Sequence, residues 1–297
     1  MNLPTRDFPF LLLTPALVGG AEVKPGTLEG RADPNRSAPR RVNPQSGSLP
    51  EMRAASIRGQ VRWWHRFAHV SPHSNEVWGR SEPAPAIASR IGLEILPRPP
   101  FSHSPVRTLP HTEELDRENP KNPWAKVESF RRGIHEGESF TLRLTRLPSC
   151  DDRAWQAAER AVKLWLLLGG IGLRSNRATG SVWPQDPAWT PVDEAALAAE
   201  LTRLGYQRPV SLADARLGGG SPDELRKAAS DTVDNENFLG GARAGRRKPS
   251  PVKMKVIQLG GTYRLLLTAP KPATLEGAQA VLSAKPLGRV PWKVVIA

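Results

Sequence analysis

The chain has 297 residues, with 42 basic and 29 acidic side chains, a formal net charge of +13 and one cysteine. The single Cys150 excludes a disulfide framework and a cysteine metal cluster. Of the basic residues 31 are arginine, whose guanidinium binds phosphate through two parallel hydrogen bonds, so a polyanionic partner is favoured. An anionic membrane surface is the alternative, but no basic amphipathic helix of the interfacial kind is found in the sequence, so we expect no membrane partner. No apolar run is long enough to span a bilayer. The apolar run near the N-terminus is short and follows the acidic Asp7, so we expect a cytoplasmic protein without a signal peptide.

The N-terminal part begins with a predicted strand and a long loop. The segment FPFLLLTP (8–15) indicates a short, fully buried strand ended by proline. Residues 15–52 contain six prolines and five glycines, which predicts an irregular loop. A helix follows over 56–69 and stops before Pro72.

This first helix, SIRGQVRWWHR and onward, separates into two stripes at helical spacing. Ser56 is the expected N-cap. The apolar stripe, which we expect to be buried, consists of Ile57, Val61, Trp64 and Ala68. The basic stripe follows i, i+4, i+8 and consists of Arg58, Arg62 and Arg66. Two interpretations of it stay open: the arginines contact phosphate, or their stems merely cover apolar surface while their heads meet water.

The remaining elements of the first half predict a ferredoxin-like pattern. Residues 88–97 alternate as a strand does, whereas 97–123 hold seven prolines and are expected to be an insertion without regular structure. A strand is predicted over 138–148, with alternating apolar residues. The segment 151–170 is an amphipathic helix that ends in glycines, and 180–184 is a strand. The resulting order is βαββαβ.

The second half predicts another α+β unit. Helices are expected over 193–204, 222–231 and 274–283. The segment 252–269 is a hairpin turning at Gly260-Gly261, and VPWKVVIA at the C-terminus is a strand. We therefore predict an α+β protein with two ferredoxin-like (RRM-like, βαββαβ) domains, 1–186 with a Pro-rich insertion and 187–297, the second degenerate, and long irregular insertions.

A glycine-rich segment, GGIGLRSNRATGSV (169–182), follows the predicted helix of 151–170. It lacks the strand-before-helix order of a dinucleotide fingerprint and the Gly-Lys-Ser/Thr of a P-loop. Glycines permit close backbone approach, so its amides together with Arg174 and Arg177 are candidates for holding phosphate. An ordinary helix-to-strand turn is the alternative.

Four stretches together resemble a known family. They are TPALVGGA (14–21), EMRAASIRGQVRWW (51–64), GGIGLRSNRATGSV (169–182) and RRKPSPVKMKVIQLGGTYRL (246–265). In this order they resemble the RAMP superfamily of CRISPR systems, and within it the first RAMP subunits of type III-B (Cmr) effector complexes. The candidate RNA-binding residues lie within these stretches: Arg53, Ser56, Arg58, Arg62, Arg66, Gly170, Gly172, Arg174, Arg177, Arg246, Arg247 and Lys248.

The resemblance implies a non-catalytic subunit without a cofactor, present in one copy near the 3′ end of the crRNA. Its partners would be crRNA, target RNA and other Cmr RAMP subunits, in antiviral defence. The alternative is a metal-independent endoribonuclease that processes crRNA with His65 or His69 as general base. These two histidines stand at i, i+4, a spacing compatible with metal binding, but no third ligand accompanies them. A general DNA-binding protein is a third possibility, against which the lack of a recognisable DNA-binding module argues.

Overall fold

A computed structural model describes residues 3–18, 52–81, 85–96, 103–107, 113–115, 126–128, 130–213, 221–233, 241–243, 246–248, 250–284 and 291–297. These ranges contain six helices: α1 (Ala54–Phe67), α2 (Ser74–Trp78), α3 (Asp152–Leu168), α4 (Glu194–Arg203), α5 (Pro222–Val233) and α6 (Pro272–Ala284). Their strands are β1 (Thr5–Leu12), β2 (Ile91–Leu96), β3 (His103–Arg107), β4 (Glu113–Leu115), β5 (Lys126–Glu128), β6 (Phe130–Ile134), β7 (Ser139–Arg146), β8 (Val182–Pro184), β9 (Val210–Ala213), β10 (Gly241–Arg243), β11 (Arg246–Lys248), β12 (Lys253–Leu259), β13 (Thr262–Thr268) and β14 (Trp292–Ile296).

The N-terminal unit is a four-stranded antiparallel sheet in the order β2-β7-β1-β8. Alternating apolar side chains of β7 point into the core, as predicted, and Phe140 stacks on Phe10 of β1 with ring centroids 5.4 Å apart. Trp165 of α3 meets Phe10 edge-on at 5.5 Å. Helix α3 begins at the N-cap Asp151, whose carboxylate accepts from the Ala154 amide at 2.7 Å. The apolar stripe of α3 therefore covers this sheet.

Strand β1 differs from the fully buried run expected over residues 8–15. It ends at Leu12 and alternates, with Phe8, Phe10 and Leu12 buried and the residues between them partly exposed. The physical reason is that helices cover only one face of the sheet, so alternate side chains of a central strand face outward.

The C-terminal unit is a second four-stranded antiparallel sheet, in the order β12-β13-β9-β14. The predicted hairpin is confirmed: β12 and β13 pair with Leu259 opposite Thr262. Its two turn residues, Gly260 and Gly261, have φ of 54° and 79°, the left-handed conformations that a tight hairpin requires at both positions. The protein is thus a mixed α+β structure with two four-stranded sheets.

Both units place their main elements in the same chain order. The first runs β1, α1, β2, β7, α3, β8, and the second runs β9, α5, β12, β13, α6, β14. Strand β9, which the sequence analysis missed, supplies the first strand of the second unit. Strand β9 therefore completes the second four-stranded sheet, and the degenerate character that we expected of the second unit stays a prediction.

The predicted domain boundary at residue 186 falls between the two sheets, and it stays a prediction. Packing continues across it, because one apolar cluster contains Leu142 of the first unit and Leu212 of the second. Backbone hydrogen bonds also cross: the Ala178 amide donates to the Met254 carbonyl, and the Met254 amide donates to the Asn176 carbonyl, each at 3.0 Å.

The proline-rich segment 97–123 is not entirely irregular, contrary to expectation. Strand β3 lies within it and pairs with β6, and β4 pairs with β5. Proline is tolerated in such two-stranded ribbons because an edge position needs no amide donor. Most of the predicted loop 15–52 lies outside the described residues. Within the described ranges, no helix combines the length and apolar character needed to cross a membrane.

Candidate nucleic-acid interface

The start of α1 differs from the expectation at Ser56. The helix begins at Ala54, its N-cap is Arg53 without a capping side chain, and Ser56 lies exposed inside the first turn. The prediction of Ser56 as N-cap is wrong because Ala54 and Ala55 extend the helix by two residues, alanine being the best helix former. Arg53 is exposed at this end of α1.

The apolar stripe of α1 is buried as predicted over Ile57, Val61 and Trp64. Ala68 follows the last helical residue and is partly exposed. Trp64 is 2% exposed and meets Phe67 edge-on, with centroids 5.6 Å apart. Trp64 is therefore a core residue, which confirms its structural assignment.

The arginine stripe divides into two parts. Arg58 donates to the Trp78 carbonyl, and Arg62 donates to the Asn75 side-chain oxygen at 2.6 Å. Burial, helped by the positive charges of Arg66 and Arg58, lowers the pKa of the Arg62 guanidinium. These two arginines hold α2 against α1. Arg66 is exposed, and it is the member of the stripe that faces solvent.

His65 is a structural residue in the core. It is 1% exposed, its Nδ1 accepts from the Trp78 indole N–H at 3.1 Å, and its Nε2 lies 2.7 Å from the Pro72 carbonyl. This pair of partners fixes the neutral tautomer that carries its proton on Nε2, and burial lowers the His65 pKa. His69 lies past the end of α1 with φ of 53° and is exposed, so the two histidines do not share a helical face.

The glycine loop, residues 169–182, is tied together by two hydroxyl groups. Thr14 Oγ1 donates to the Ala178 carbonyl at 2.7 Å and accepts from the Ser181 amide at 2.9 Å. Ser181 Oγ donates to the same carbonyl at 2.9 Å and accepts from the Val256 amide of β12 at 3.0 Å. The loop therefore joins the chain after β1 to the C-terminal sheet.

Several amides of the glycine loop donate to protein carbonyls. The Leu173 amide donates to Leu17 and the Gly180 amide to Pro15, each at 2.9 Å. The Ala178 amide, as noted, donates to β12. These three amides are occupied within the protein, and phosphate binding by the loop stays a prediction.

The glycines of the loop allow its backbone to pass close to other segments of the backbone. A Cβ on Gly170 would stand 2.9 Å from the Gly180 carbonyl oxygen. Gly172 has φ of 84°, and a Cβ there would lie 2.6 Å from the Leu17 carbonyl oxygen. The turn interpretation of these glycines fits the structure, because each glycine is required by a neighbouring strand or turn.

Arg174 and Arg177 are partly exposed, and both make contacts within the protein. Arg174 has φ of 61°, so its backbone lies in the left-handed region, and its replacement concerns the backbone as well as the side chain. Arg177 forms a parallel bridge with Met254. RNA contact by either arginine stays a prediction.

The basic run Arg246, Arg247 and Lys248 forms β11. It pairs antiparallel with β10, so that Arg246 stands opposite Arg243 and Lys248 opposite Gly241. The run is thus one strand of a short hairpin that precedes β12, and its RNA contact also stays a prediction.

A group that we did not predict, and that we call the aromatic–cation ladder, consists of Lys253, Trp63, Phe67 and Arg208. Trp63 and Phe67 stack with centroids 4.5 Å apart at 18°. Lys253 Nζ lies 4.3 Å from the Trp63 centroid, and Arg208 Cζ lies 5.2 Å from the Phe67 centroid. The i, i+4 spacing of the two aromatics was visible in the sequence, but the approach of two distant cations was not.

Lys255, also missed, is 1% exposed and reaches from β12 to the end of α3. Its ammonium donates to the Leu166 carbonyl in the last turn of that helix and lies 5.7 Å from the Trp183 ring centroid. Burial lowers its pKa well below the ordinary value. The negative end of the α3 dipole and the ring face offer the charge partial compensation.

Residues 10–183 match the family model of the RAMP superfamily. Because the match covers more than half of the chain, the protein belongs to the RAMP superfamily. None of the curated proteins compared with it matches.

Two solved structures are similar along nearly the whole chain. One is Cmr1 from Pyrococcus furiosus, 16% identical, covering 99% of both chains with a TM-score of 0.60. The other is a chain of the type III-B Cmr-beta complex bound to cognate target RNA and AMPPnP in the presence of ssDNA, 11% identical, covering 96% of this chain and 99% of that one with a TM-score of 0.53. At these identities the similarity is one of fold.

Proposed function

We propose that the chain is a non-catalytic, RNA-binding RAMP subunit of a type III (Cmr) CRISPR effector complex. In this role it would bind guide or target RNA near the crRNA 3′ end, in the cytoplasm, beside other Cmr RAMP subunits in antiviral defence. The observation that carries the proposal is the likeness to Cmr1 over 99% of both chains, which includes both four-stranded sheets rather than a single RAMP unit.

The topology supports a more specific description of the two units. Each runs βαββαβ, and the strand orders β2-β7-β1-β8 and β12-β13-β9-β14 place the strands of the two units in equivalent positions. We infer that both units are ferredoxin-like, the architecture expected of a RAMP protein.

Charge supports RNA as the partner. The excess of 42 basic over 29 acidic side chains produces a positive field that attracts a polyanion. Arg53 and Arg66 are exposed at the two ends of α1, where they can reach phosphate oxygens. Arginine at such positions contributes sequence-independent affinity that decreases with salt.

The state of His65 favours binding over cleavage. A general base needs an accessible ring nitrogen at the reacting atom, and both nitrogens of His65 have partners inside the core. His69 is exposed, but its Nε2 lies 2.6 Å from Arg208 Nη2. A guanidinium has only donors, so it donates to this nitrogen, which is then occupied as an acceptor.

The test is to incubate the purified protein with end-labelled single-stranded RNA that carries a CRISPR repeat. We expect a salt-sensitive complex and RNA of unchanged length. Site-specific cleavage that is lost in the His69→Ala variant and retained in the solvent-exposed His73→Ala control would contradict the non-catalytic assignment.

A further inference from the structure

The aromatic–cation ladder joins the two units and places two positive charges at a partly exposed surface. Trp63 and Phe67 belong to α1 of the first unit, whereas Arg208 precedes β9 and Lys253 begins β12 in the second. All four side chains are partly exposed. The ladder therefore borders the junction between the units and is accessible from solvent.

The two cations lack acidic partners among the residues that the structure describes. The ion pairs found there involve other basic residues. Lys253 donates to the neutral Asn176 side-chain oxygen at 2.6 Å. Arg208 donates to the carbonyls of Phe67 and Pro270, at 3.3 and 3.0 Å, and to His69 Nε2 at 2.6 Å. Neutral acceptors leave the net charge of both groups in place for an anion.

We propose that the aromatic–cation ladder is a binding site for the phosphate backbone of single-stranded RNA, with Lys253 and Arg208 neutralising phosphates on either side of the Trp63–Phe67 stack. The inference rests on the proposed function and names a site for it. Each ring has its partner ring on one face and a cation on the other, so the rings hold the two charges in place for phosphate instead of stacking on bases.

A purely structural role for Lys253 is the competing explanation, and its energetics argue against it. Burial lowers the pKa of Lys253 to about 8, so the free protein holds this charge at a cost in stability. An apolar side chain would join the units without that desolvation penalty. Unlike Lys255, which is buried, Lys253 holds its charge at a partly exposed surface, where an anion can offset that cost.

The experiment measures fluorescence anisotropy of a labelled oligouridine titrated with the full chain over a range of salt concentrations. Lys253→Met is expected to weaken binding about tenfold, because one charge-assisted contact is lost. It should also reduce the slope of log affinity against log salt concentration by about 0.7. Lys253→Arg keeps the charge and should keep the affinity. The matched control is Lys255→Met. Lys255 lies on the same face of β12 as Lys253 but is buried away from solvent, so its replacement should leave the affinity unchanged.

Melting temperatures separate the two explanations. The proposal predicts that Lys253→Met melts at or above the wild-type temperature at neutral pH while it binds RNA more weakly. If Lys253→Met binds like the wild type, or if it melts lower and loses affinity no more than Lys255→Met, the ladder is structural and the site is wrong, although the proposed function stands. If the wild-type chain shows no salt-dependent RNA binding, both the site and the proposed function are wrong.

Discussion

Among the glycines that the structure describes, Gly180 of the glycine loop is the one at which an added methyl group should do the most damage. Its φ is 64°, and an ideal Cβ would lie 2.0 Å from the Ile171 carbonyl oxygen, which is backbone. The left-handed conformation costs a non-glycine residue roughly 1–2 kcal/mol, and forcing a methyl group into packed surroundings costs about 1–3 kcal/mol. We therefore expect Gly180→Ala to lower the free energy of unfolding by about 2–5 kcal/mol.

Gly205 provides the matched control. Its φ is 70°, and no heavy atom lies within 4 Å of the position of a Cβ. Gly205→Ala should therefore carry the backbone term alone, roughly 1–2 kcal/mol. Urea denaturation of both variants measures the difference. Equal losses for the two variants would refute the close backbone contact between Gly180 and Ile171.

Three further predictions concern α1 and β12. Trp64→Ala should reduce the free energy of unfolding by about 3–5 kcal/mol. A variant that melts at the wild-type temperature would show that Trp64 does not lie on the buried face of α1. Arg66→Ala should change the free energy of unfolding by no more than about 0.5 kcal/mol, and it should lower the slope of log affinity against log salt concentration for RNA by up to about 0.7. Arg62→Ala should lower the free energy of unfolding by roughly 1–2 kcal/mol, because Arg62 holds α2. If Arg66→Ala lowers the melting temperature more than Arg62→Ala does, the division of the stripe is wrong. Because the pKa of Lys253 falls from 10.5 to about 8 on folding, the unfolded chain binds more protons between those values, so stability should rise with pH there. Lys253→Met should reduce that rise in pH-dependent melts, and an unchanged rise would refute the cost assigned to its charge.

The elements with strong local patterns could be predicted from the sequence. Helix α3, strand β7 and the β12–β13 hairpin have clear periodicity and end signals, such as the acidic N-cap Asp151 and the turn glycines Gly260 and Gly261. Burial of Trp64 also followed from its place on the apolar stripe of α1. These features depend on neighbours a few residues away.

The elements that were missed depend on distant parts of the chain. Strand β9 has four residues, VSLA, and is a strand because β13 and β14 pair on either side of it. Helix α2 is five residues long and is held by Arg62, which a helical wheel treats as solvent-facing. Propensity is a weak prior for such short segments, and tertiary contacts decide them.

The glycine loop shows the same limit at the candidate site. Its composition is equally suited to phosphate oxygens and to protein carbonyls, since both accept from amides. Only the fold reveals that Leu17 and Met254 supply the acceptors. The ladder was hidden for a similar reason, because Lys253 and Trp63 are far apart in sequence and meet only when the two units pack.

The most direct test of the central claim is to purify the complex formed by the tagged chain in cells that express the type III CRISPR locus and sequence the RNA it retains. We expect other RAMP subunits and guide RNAs to co-purify with the chain, and the guide RNAs to crosslink to it near their 3′ ends. Recovery of the chain with neither RAMP subunits nor guide RNA would show that it is not a subunit of such a complex.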